Sequence, residues 1–214
     1  MILATSVLPR QNLISRPLDH LSYFTEWGSH QWSHLLHNGF VEFLGTDLTG
    51  LRVLDIGTRY GKMACLFALL GANVTGIDIR ADCLAIAREE AHKLGVDHKT
   101  NFIQYGGYLD IFQAHTFDIV FTKSVLVVVK DLDLYVRDIQ RILRCGGKFL
   151  FLENGYGNSL LHTLRTLRHR SWNYTTARYF TRHEFGLIKQ VFPLAMAKTC
   201  IIPPIWLIYG VNTC

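Results

Sequence analysis

Two aspartates and two glycines, each at the end of an apolar run, have a spacing that can do chemistry. In "RVLDIGTRYGK", residues 52–62, the run climbs to Asp55, and Gly57 and Gly61 then bracket Thr58, Arg59 and Tyr60. Further on, "NVTGIDI" (73–79) delivers a second carboxylate, Asp78, to the end of a second apolar run. Glycine-bracketed turns after a strand let backbone approach a nucleotide-like cofactor closely. A phosphate-cradling P-loop needs four residues between its glycines, then Lys and Ser or Thr. Here three intervene, and Met63 follows Lys62. A dinucleotide fingerprint needs glycine at positions 59 and 62, which are arginine and lysine. Both phosphate-binding readings fail.

A second group lies in "SYFTEWGSHQWSHLLHNGFVEFL" (22–44), helical over much of its length although Gly28 and Gly39 weaken the pattern. At 100° per residue His30, His34 and His37 share one face, and Trp32, Leu36 and Phe43 share roughly the opposite one. An imidazole titrating near neutrality suits removal of a proton from an acceptor hydroxyl. His34, in the middle of the stripe, is the candidate catalytic base; the plainer reading is a solvated stripe behind a core-facing side. No carboxylate or cysteine cluster follows to complete a metal site, so no metal is expected.

The elements that must position these groups alternate. Residues 51–57 read as a buried strand, 61–70 as a helix, 73–79 as a strand, and 81–95 as a helix ended by Gly95. Strand-like "TNFIQYG" follows, then "FDIVFTKSVLVVV" as a strand running into a loop. A helix, "DLYVRDIQRILR", stops at Cys145-Gly146-Gly147, and "KFLFLEN" is another strand. Alternating strands and helices imply right-handed crossovers and a mainly parallel, doubly wound sheet. Ligands of such sheets bind beyond the carboxyl ends of the strands, where strand order reverses. The Gly57–Gly61 turn lies at such an end.

"VLDIGTRYG" followed by "VTGIDI" resembles the class I S-adenosylmethionine-dependent methyltransferases, whose first motif runs D-x-G-x-G-x-G and whose second strand ends in an acidic residue. The likeness extends along the chain. "FDIVFTKSVLVVVKDLDLYVRDIQRILRCGGKFLFLEN" is similar to the family's fourth and fifth strands with their connecting helix. "RYFTRHEFGLIKQVFP" resembles its late helix, and "AMAKTCIIPPIWLIYGVN" its terminal hairpin. The resemblance covers roughly residues 50–210. It implies an α/β doubly wound, seven-stranded, mainly parallel sheet with a C-terminal antiparallel hairpin. It also implies S-adenosylmethionine as cofactor and a small-molecule acceptor methylated at oxygen or nitrogen.

Carried over by position, Gly57, Thr58 and Gly61 shape the turn beside the methionine part, and Asp55 holds it directly or through water. Asp78 binds the ribose hydroxyls, with Ile79 against the adenine. Relatives commonly place an acidic residue after the third strand for the adenine amino group. Here Gly106 and Gly107 stand there, so Tyr108 stacks instead or Asp110 reaches in. Arg59 replaces the family's middle glycine. With ordinary backbone angles its side chain is able to turn aside and pair with the cofactor's carboxylate; the other readings are that it points to solvent or that it blocks the pocket. Lys123 and Ser124 are the reachable groups after the fourth strand.

Residues 1–49 read as an N-terminal helical lid and acceptor segment, and 50–214 as the cofactor-binding core with an acceptor-side insertion at about 153–185. That insertion interleaves Arg165, Arg168, Arg170, Arg178 and Arg182 with Trp172, Tyr174, Tyr179 and Phe180. It reads either as a helix with a solvated basic face and anchoring aromatics, or as a lining of the acceptor pocket, which then favours a planar or anionic acceptor.

Composition bounds the rest. The chain has 214 residues, 49% hydrophobic and 18% charged, as a globular domain has. Its net charge of +5 permits an acidic partner without demanding one. An RNA methyltransferase is the first rival, but no appended RNA-binding module is visible; a non-catalytic cofactor-binding protein of the same fold is the second. The [DNS]-P-P-[YFW] motif of base and glutamine methyltransferases is replaced by "TKSV". The paired-glutamate loop of arginine methyltransferases is missing too. No run approaches the ~18–20 apolar residues of a membrane helix, and no basic region precedes the apolar start. Five scattered cysteines read as free thiols of a cytoplasmic protein.

Overall fold

Buried apolar strands alternating with amphipathic helices give the layered arrangement seen in the computed structural model, which describes residues 10–26, 30–156, 179–200 and 204–214, the side chains of 30–32 excepted. The N-terminal helices are α1 (Arg10–Ser15), α2 (Leu21–Thr25) and α3 (His30–Asn38), which runs into a π-helical turn at Gly39–Leu44. Then follow β1 (Arg52–Ile56), α4 (Lys62–Leu69), β2 (Asn73–Asp78), α5 (Ala81–Leu94) and β3 (Thr100–Gln104). After these come β4 (Phe117–Lys123), α6 (Leu132–Ile142), β5 (Leu143–Asn154), α7 (Arg182–Val191), β6 (Met196–Cys200) and β7 (Ile205–Val211).

The seven strands lie in the order β3-β2-β1-β4-β5-β7-β6. β1 pairs in parallel with β2 and β4, and the parallel set continues through β3 and β5. β7 runs antiparallel to both β5 and β6, so the C-terminal hairpin completes the sheet as the sequence leads one to expect. Strand order reverses between β1 and β4, and the crevice beyond their carboxyl ends is the expected ligand site.

Each face of the sheet carries its own core. On one face Leu66, Phe67 and Leu84 pack with Val53 and Phe121, and N-terminal Leu21, Phe24, Leu36, Phe40 and Leu48 join the same cluster. Phe67 bridges the two groups, with ring centroids 5.4 Å from Phe40 and 5.2 Å from Phe121. On the other face Val136, Ile139, Ile188 and Phe192 of the α6–α7 side pack with Leu54, Val120, Phe149 and Ile208. Two helices here start on side-chain caps. Asp131 accepts from the Leu134 amide at 3.1 Å, and Thr181 with Glu184 forms a capping box.

The helical path continues through Gly39 as a π turn, with a Leu207 carbon 3.1 Å from where a Cβ would be. Two expectations change. Cys145-Gly146-Gly147 does not follow the helix as a stop. α6 ends at Ile142, β5 starts at once, and the glycines take up a register jump from Phe117↔Leu143 to Ile119↔Lys148, with Gly146 left-handed at φ +71°. Nor are all five cysteines thiols, since Cys145 and Cys214 form a disulfide with Cα atoms 5.5 Å apart. They are 69 residues apart in sequence, so spacing held no sign of the pairing. Among the described residues no helix is long and apolar enough to cross a membrane.

Candidate cofactor site

At the carboxyl end of β1 the chain turns through alternating left-handed residues: Gly57 (φ +70°), Arg59 (φ +51°) and Gly61 (φ +73°). The amides of Gly57 and Thr58 both donate to the Ile77 carbonyl, at 2.8 and 2.9 Å, which pins the turn to β2. Both glycines are also demanded by packing. A Cβ on Gly57 meets Val125 Cγ2 at 2.4 Å, and one on Gly61 meets Ala87 Cβ at 2.7 Å. Arg59 between them does not have ordinary backbone angles. It holds the glycine-like conformation, at a cost of about 1 kcal/mol for a residue with a Cβ.

What fixes Arg59 there is Asp78. One carboxylate oxygen accepts from the Arg59 amide at 2.9 Å and the other from the Arg80 amide at 2.9 Å. Each oxygen has two lone pairs, so each keeps one for a further donor. Ile79, next to Asp78 in the chain, and Tyr108, on the loop after β3, are 61% and 73% exposed although large and apolar. The loops carrying them are tied together by Gln104 Nε2 donating to the Ile79 carbonyl at 3.1 Å and by the Tyr105 amide donating to the Asp78 carbonyl at 3.2 Å. A carboxylate with open lone pairs between exposed apolar side chains fits the ribose and base of a nucleoside. Asp110 is exposed on the same loop, next to buried Leu109, whose carbonyl accepts from Arg141 Nη2 at 2.9 Å.

Asp55 is placed differently. It is buried, accepts from Thr58 Oγ1 at 2.6 Å, and takes a hydrogen bond from the Ala64 amide in the first turn of α4. Burial pushes its pKa up to about 7, against the opposing pull of Thr58 and the Lys123 charge. Lys123, at the end of β4, is drawn down to about 8 by burial, while Glu26 and Asp55 oppose the change. Its ammonium donates to the carbonyl of Thr25 in α2.

That last contact joins the N-terminal segment to the turn, and others reinforce it. Glu26 lies 3.6 Å from the Arg59 guanidinium and 3.9 Å from the Lys62 ammonium. Lys62 sits 4.2 Å from the centre of the Tyr23 ring, and the Tyr23 hydroxyl donates to Glu90. Glu26, Tyr23 and Lys62 were not among the residues singled out by sequence. Tyr23 and Glu26 come from a segment with no recognisable spacing, and only the packing of α2 against α4 brings them to Lys62.

After β4, Ser124 is left-handed (φ +58°) and its hydroxyl accepts from Asn154 Nδ2 at 2.9 Å. Fully buried Glu153 accepts from Thr122 Oγ1 at 2.9 Å and from the Val125, Leu126 and Val127 amides at 3.2–3.4 Å, so it staples the loop that packs on Gly57. Burial raises Glu153 to about 7. His34 is exposed on α3, which packs against β6 and β7, and Leu36 is buried as expected. Arg165, Arg168, Arg170, Arg178, Trp172 and Tyr174 lie outside the described residues. Among described residues of that stretch, Phe180 is buried and Tyr179 half-buried.

A 3-2-1-4-5-7-6 sheet with this turn at its switch point defines the class I S-adenosylmethionine-dependent methyltransferase fold. Residues 54–151 match the family described as "Methyltransferase domain". Over 120 residues it is 28% identical to sterol 4-C-methyltransferase strm-1 of Caenorhabditis elegans, covering 54% of this chain and 36% of that protein. Over 123 residues it is 33% identical to a ubiquinone biosynthesis O-methyltransferase of Xanthomonas euvesicatoria, covering 56% of this chain and 50% of the relative. The matched stretch thus spans half or less of those relatives. Among solved structures, Haemonchus contortus phospholethanolamine N-methyltransferase 2, in complex with phosphomonomethylethanolamine and S-adenosylhomocysteine, superposes with TM-score 0.64 at 22% identity, covering 90% of this chain and 47% of that one. S-adenosylmethionine is the cofactor of this family.

Proposed function

We propose that the protein transfers the methyl group of S-adenosylmethionine to an oxygen or nitrogen of a small molecule. The observation that carries this reading is the turn held by Asp78, in which Arg59 keeps a left-handed backbone that glycine would hold without strain. Strain retained at one position of a ligand turn is a mark of use. In this reading Asp78 takes the ribose hydroxyls on its open lone pairs, and Ile79 and Tyr108 flank the base. The amino-acid end of the cofactor is a zwitterion. The Glu26, Arg59 and Lys62 cluster supplies both signs within 3.6–3.9 Å. Arg59 with Lys62 meets the carboxylate, and Glu26 meets the ammonium. Asp55 supports the turn from below through Thr58 rather than touching the ligand.

The cofactor supplies an activated methyl group on a sulfonium, so alignment of donor and acceptor provides much of the acceleration. The chain's own residues close the site over that alignment. Lys123 and Glu26 hold α2 above the turn, which supports residues 1–49 as a lid, and Glu153 and Asn154 set the Ser124–Val127 loop opposite. His34 remains a proposal for the base, for an acceptor that brings it over from α3. The relatives are named for a sterol and for ubiquinone biosynthesis, which supports a lipophilic, partly planar acceptor.

Calorimetry with S-adenosylmethionine and S-adenosylhomocysteine tests the cofactor half. Micromolar binding by the wild type is expected, on the order of −8 kcal/mol, with Asp78→Ala at least tenfold weaker while still melting cooperatively. Absence of binding by the folded wild type overturns the reading. The acceptor half is tested by release of S-adenosylhomocysteine in the presence of phenolic, quinol and sterol acceptors.

A further inference from the structure

At the opposite end of the strands from the cofactor turn, three side chains that take no part in the cofactor site converge. His115, Cys145 and Cys214 are exposed, and one ligand atom from each lies within 4.8 Å of the others. They come from the turn before β4, the glycine turn of β5 and the segment after β7. From Cys145 to Glu153 the strand spans on the order of 20 Å, so this cluster and the cofactor turn lie at opposite ends of β5.

Their convergence does not depend on the disulfide. Buried Asn212 donates through Nδ2 to the carbonyls of Gln140, Leu143 and Arg144, at 3.2, 2.9 and 3.3 Å. Its backbone exchanges two hydrogen bonds of 2.8 Å with Gly146 and Gly147, and its Oδ1 accepts from the Cys214 amide at 3.3 Å. His115 is held separately, its amide donating to the Arg141 carbonyl at 2.9 Å. When the sulfur–sulfur bond opens, these bonds keep both thiols and the imidazole together. His115 Nδ1 lies 3.4 Å from the Leu143 carbonyl. A proton shared there leaves Nε2 as the lone-pair nitrogen, the arrangement in which a backbone carbonyl orients a ligating histidine.

We propose that His115, Cys145 and Cys214 form a redox-gated site for a thiolate-seeking d10 metal ion, with Zn(II) as the type case. Two thiolates and one imidazole are a Zn(II) donor set, and water completes the tetrahedron at this exposed position. In the oxidised protein the sulfurs are bonded to each other and the site is shut. A dithiol supplies two electrons and two protons and closes to its own disulfide; a phosphine supplies two electrons and becomes its oxide, water giving the oxygen and the two protons. Either way two thiols result. Zn(II) then displaces the two thiol protons to solvent as the metal–sulfur bonds form.

The full chain is reduced with a phosphine, freed of it, and titrated with Zn(II) against a chromophoric chelator. The same titration is run on the oxidised protein, Cys145→Ser, Cys214→Ser and His115→Ala. Reduced wild type is expected to bind one equivalent, and each serine variant and the oxidised protein about 100-fold more weakly. His115→Ala should fall at least about tenfold. Co(II) in place of Zn(II) should give thiolate charge-transfer absorption in the reduced wild type alone among the thiol variants, and a changed ligand-field band in His115→Ala. Cooperative melting of Cys145→Ser shows that the variant is folded. Reduced wild type binding no tighter than Cys145→Ser overturns the proposal, as does a His115→Ala variant unchanged in affinity and spectrum. S-adenosylmethionine binding should be the same with and without Zn(II), so this site stands or falls independently of the proposed activity.

Discussion

Replacing Arg59 by glycine and by alanine separates its backbone from its side chain. A left-handed residue with a Cβ is strained by ~1–2 kcal/mol, and glycine relieves that strain. Against this, Arg59→Gly frees the unfolded chain by ~0.5–1 kcal/mol. It also loses a Glu26 ion pair worth at most ~0.5 kcal/mol, because Arg59 is half exposed. The net change is close to zero, on the stabilising side. Arg59→Ala loses the same ion pair and keeps the strain, so it is less stable than Arg59→Gly by about 1 kcal/mol. For a chain of this length that is ~2–4 °C in Tm, within reach of thermal unfolding followed by circular dichroism. Both variants retain the amide that Asp78 holds, so the turn survives, and only the guanidinium's contact with the cofactor carboxylate is lost. That should weaken S-adenosylmethionine about tenfold, or 1.4 kcal/mol, equally in the two variants. An alanine variant as stable as the glycine variant refutes the strain argument, and unchanged affinity in both refutes the role assigned to the side chain.

Stability should also fall as pH rises from 5 to 7. Asp55 and Glu153 are pushed up to about 7 by burial, whereas carboxyls of the unfolded chain titrate near 4. Their stabilising contribution is complete below the unfolded value and is lost as pH climbs through the folded one, each losing up to about 1.4 kcal/mol per pH unit inside the window. A melting temperature that is flat or rising over that window contradicts the assignment. Gly57→Ala should cost ~2–3 kcal/mol, from positive φ together with the overlap on Val125. Adding Val125→Ala should recover the steric part and leave the ~1 kcal/mol of backbone strain, and full recovery by the double variant counts against any strain at this position.

The parallel half of the fold was legible because it is written in contiguous patterns. β1, β2, β4 and the helices between them have buried runs of strand length, amphipathic faces and glycines at their turns, and each can be read within a dozen residues. What could not be read joins segments far apart. Glu26 meets Arg59 and Lys62 only after α2 packs on α4, and Cys145 meets Cys214 only after β7 lies beside β5. The left-handed Arg59 was hidden for another reason. The turn's backbone is fixed by hydrogen bonds to Ile77 and Asp78 from across the sheet, and these override what the residue itself prefers.

Asp55 and Asp78 show how much of a residue's task lies in its surroundings. In sequence both are carboxylates at strand ends beside a glycine turn. In the structure Thr58 and the Ala64 amide enclose Asp55, and burial makes its neutral form competitive near neutrality. Asp78 accepts, among the described residues, from the two backbone amides of Arg59 and Arg80, one on each oxygen, which leaves a lone pair on each. The same substitution should therefore have opposite effects at the two positions. Asn at 55 imitates a neutral acid and still accepts from Thr58, so Asp55→Asn should bind S-adenosylmethionine within about threefold of wild type, well under the 1.4 kcal/mol of a tenfold change. Asn at 78 offers one acceptor oxygen to the two amides and has none to spare for ribose hydroxyls. Asp78→Asn should lose at least about tenfold in affinity and ~1–3 kcal/mol in stability from the stranded amide. Equal losses of affinity in the two variants, measured on protein of the same melting behaviour, mean that Asp55 reaches the ligand after all and that the division between support and contact is wrong.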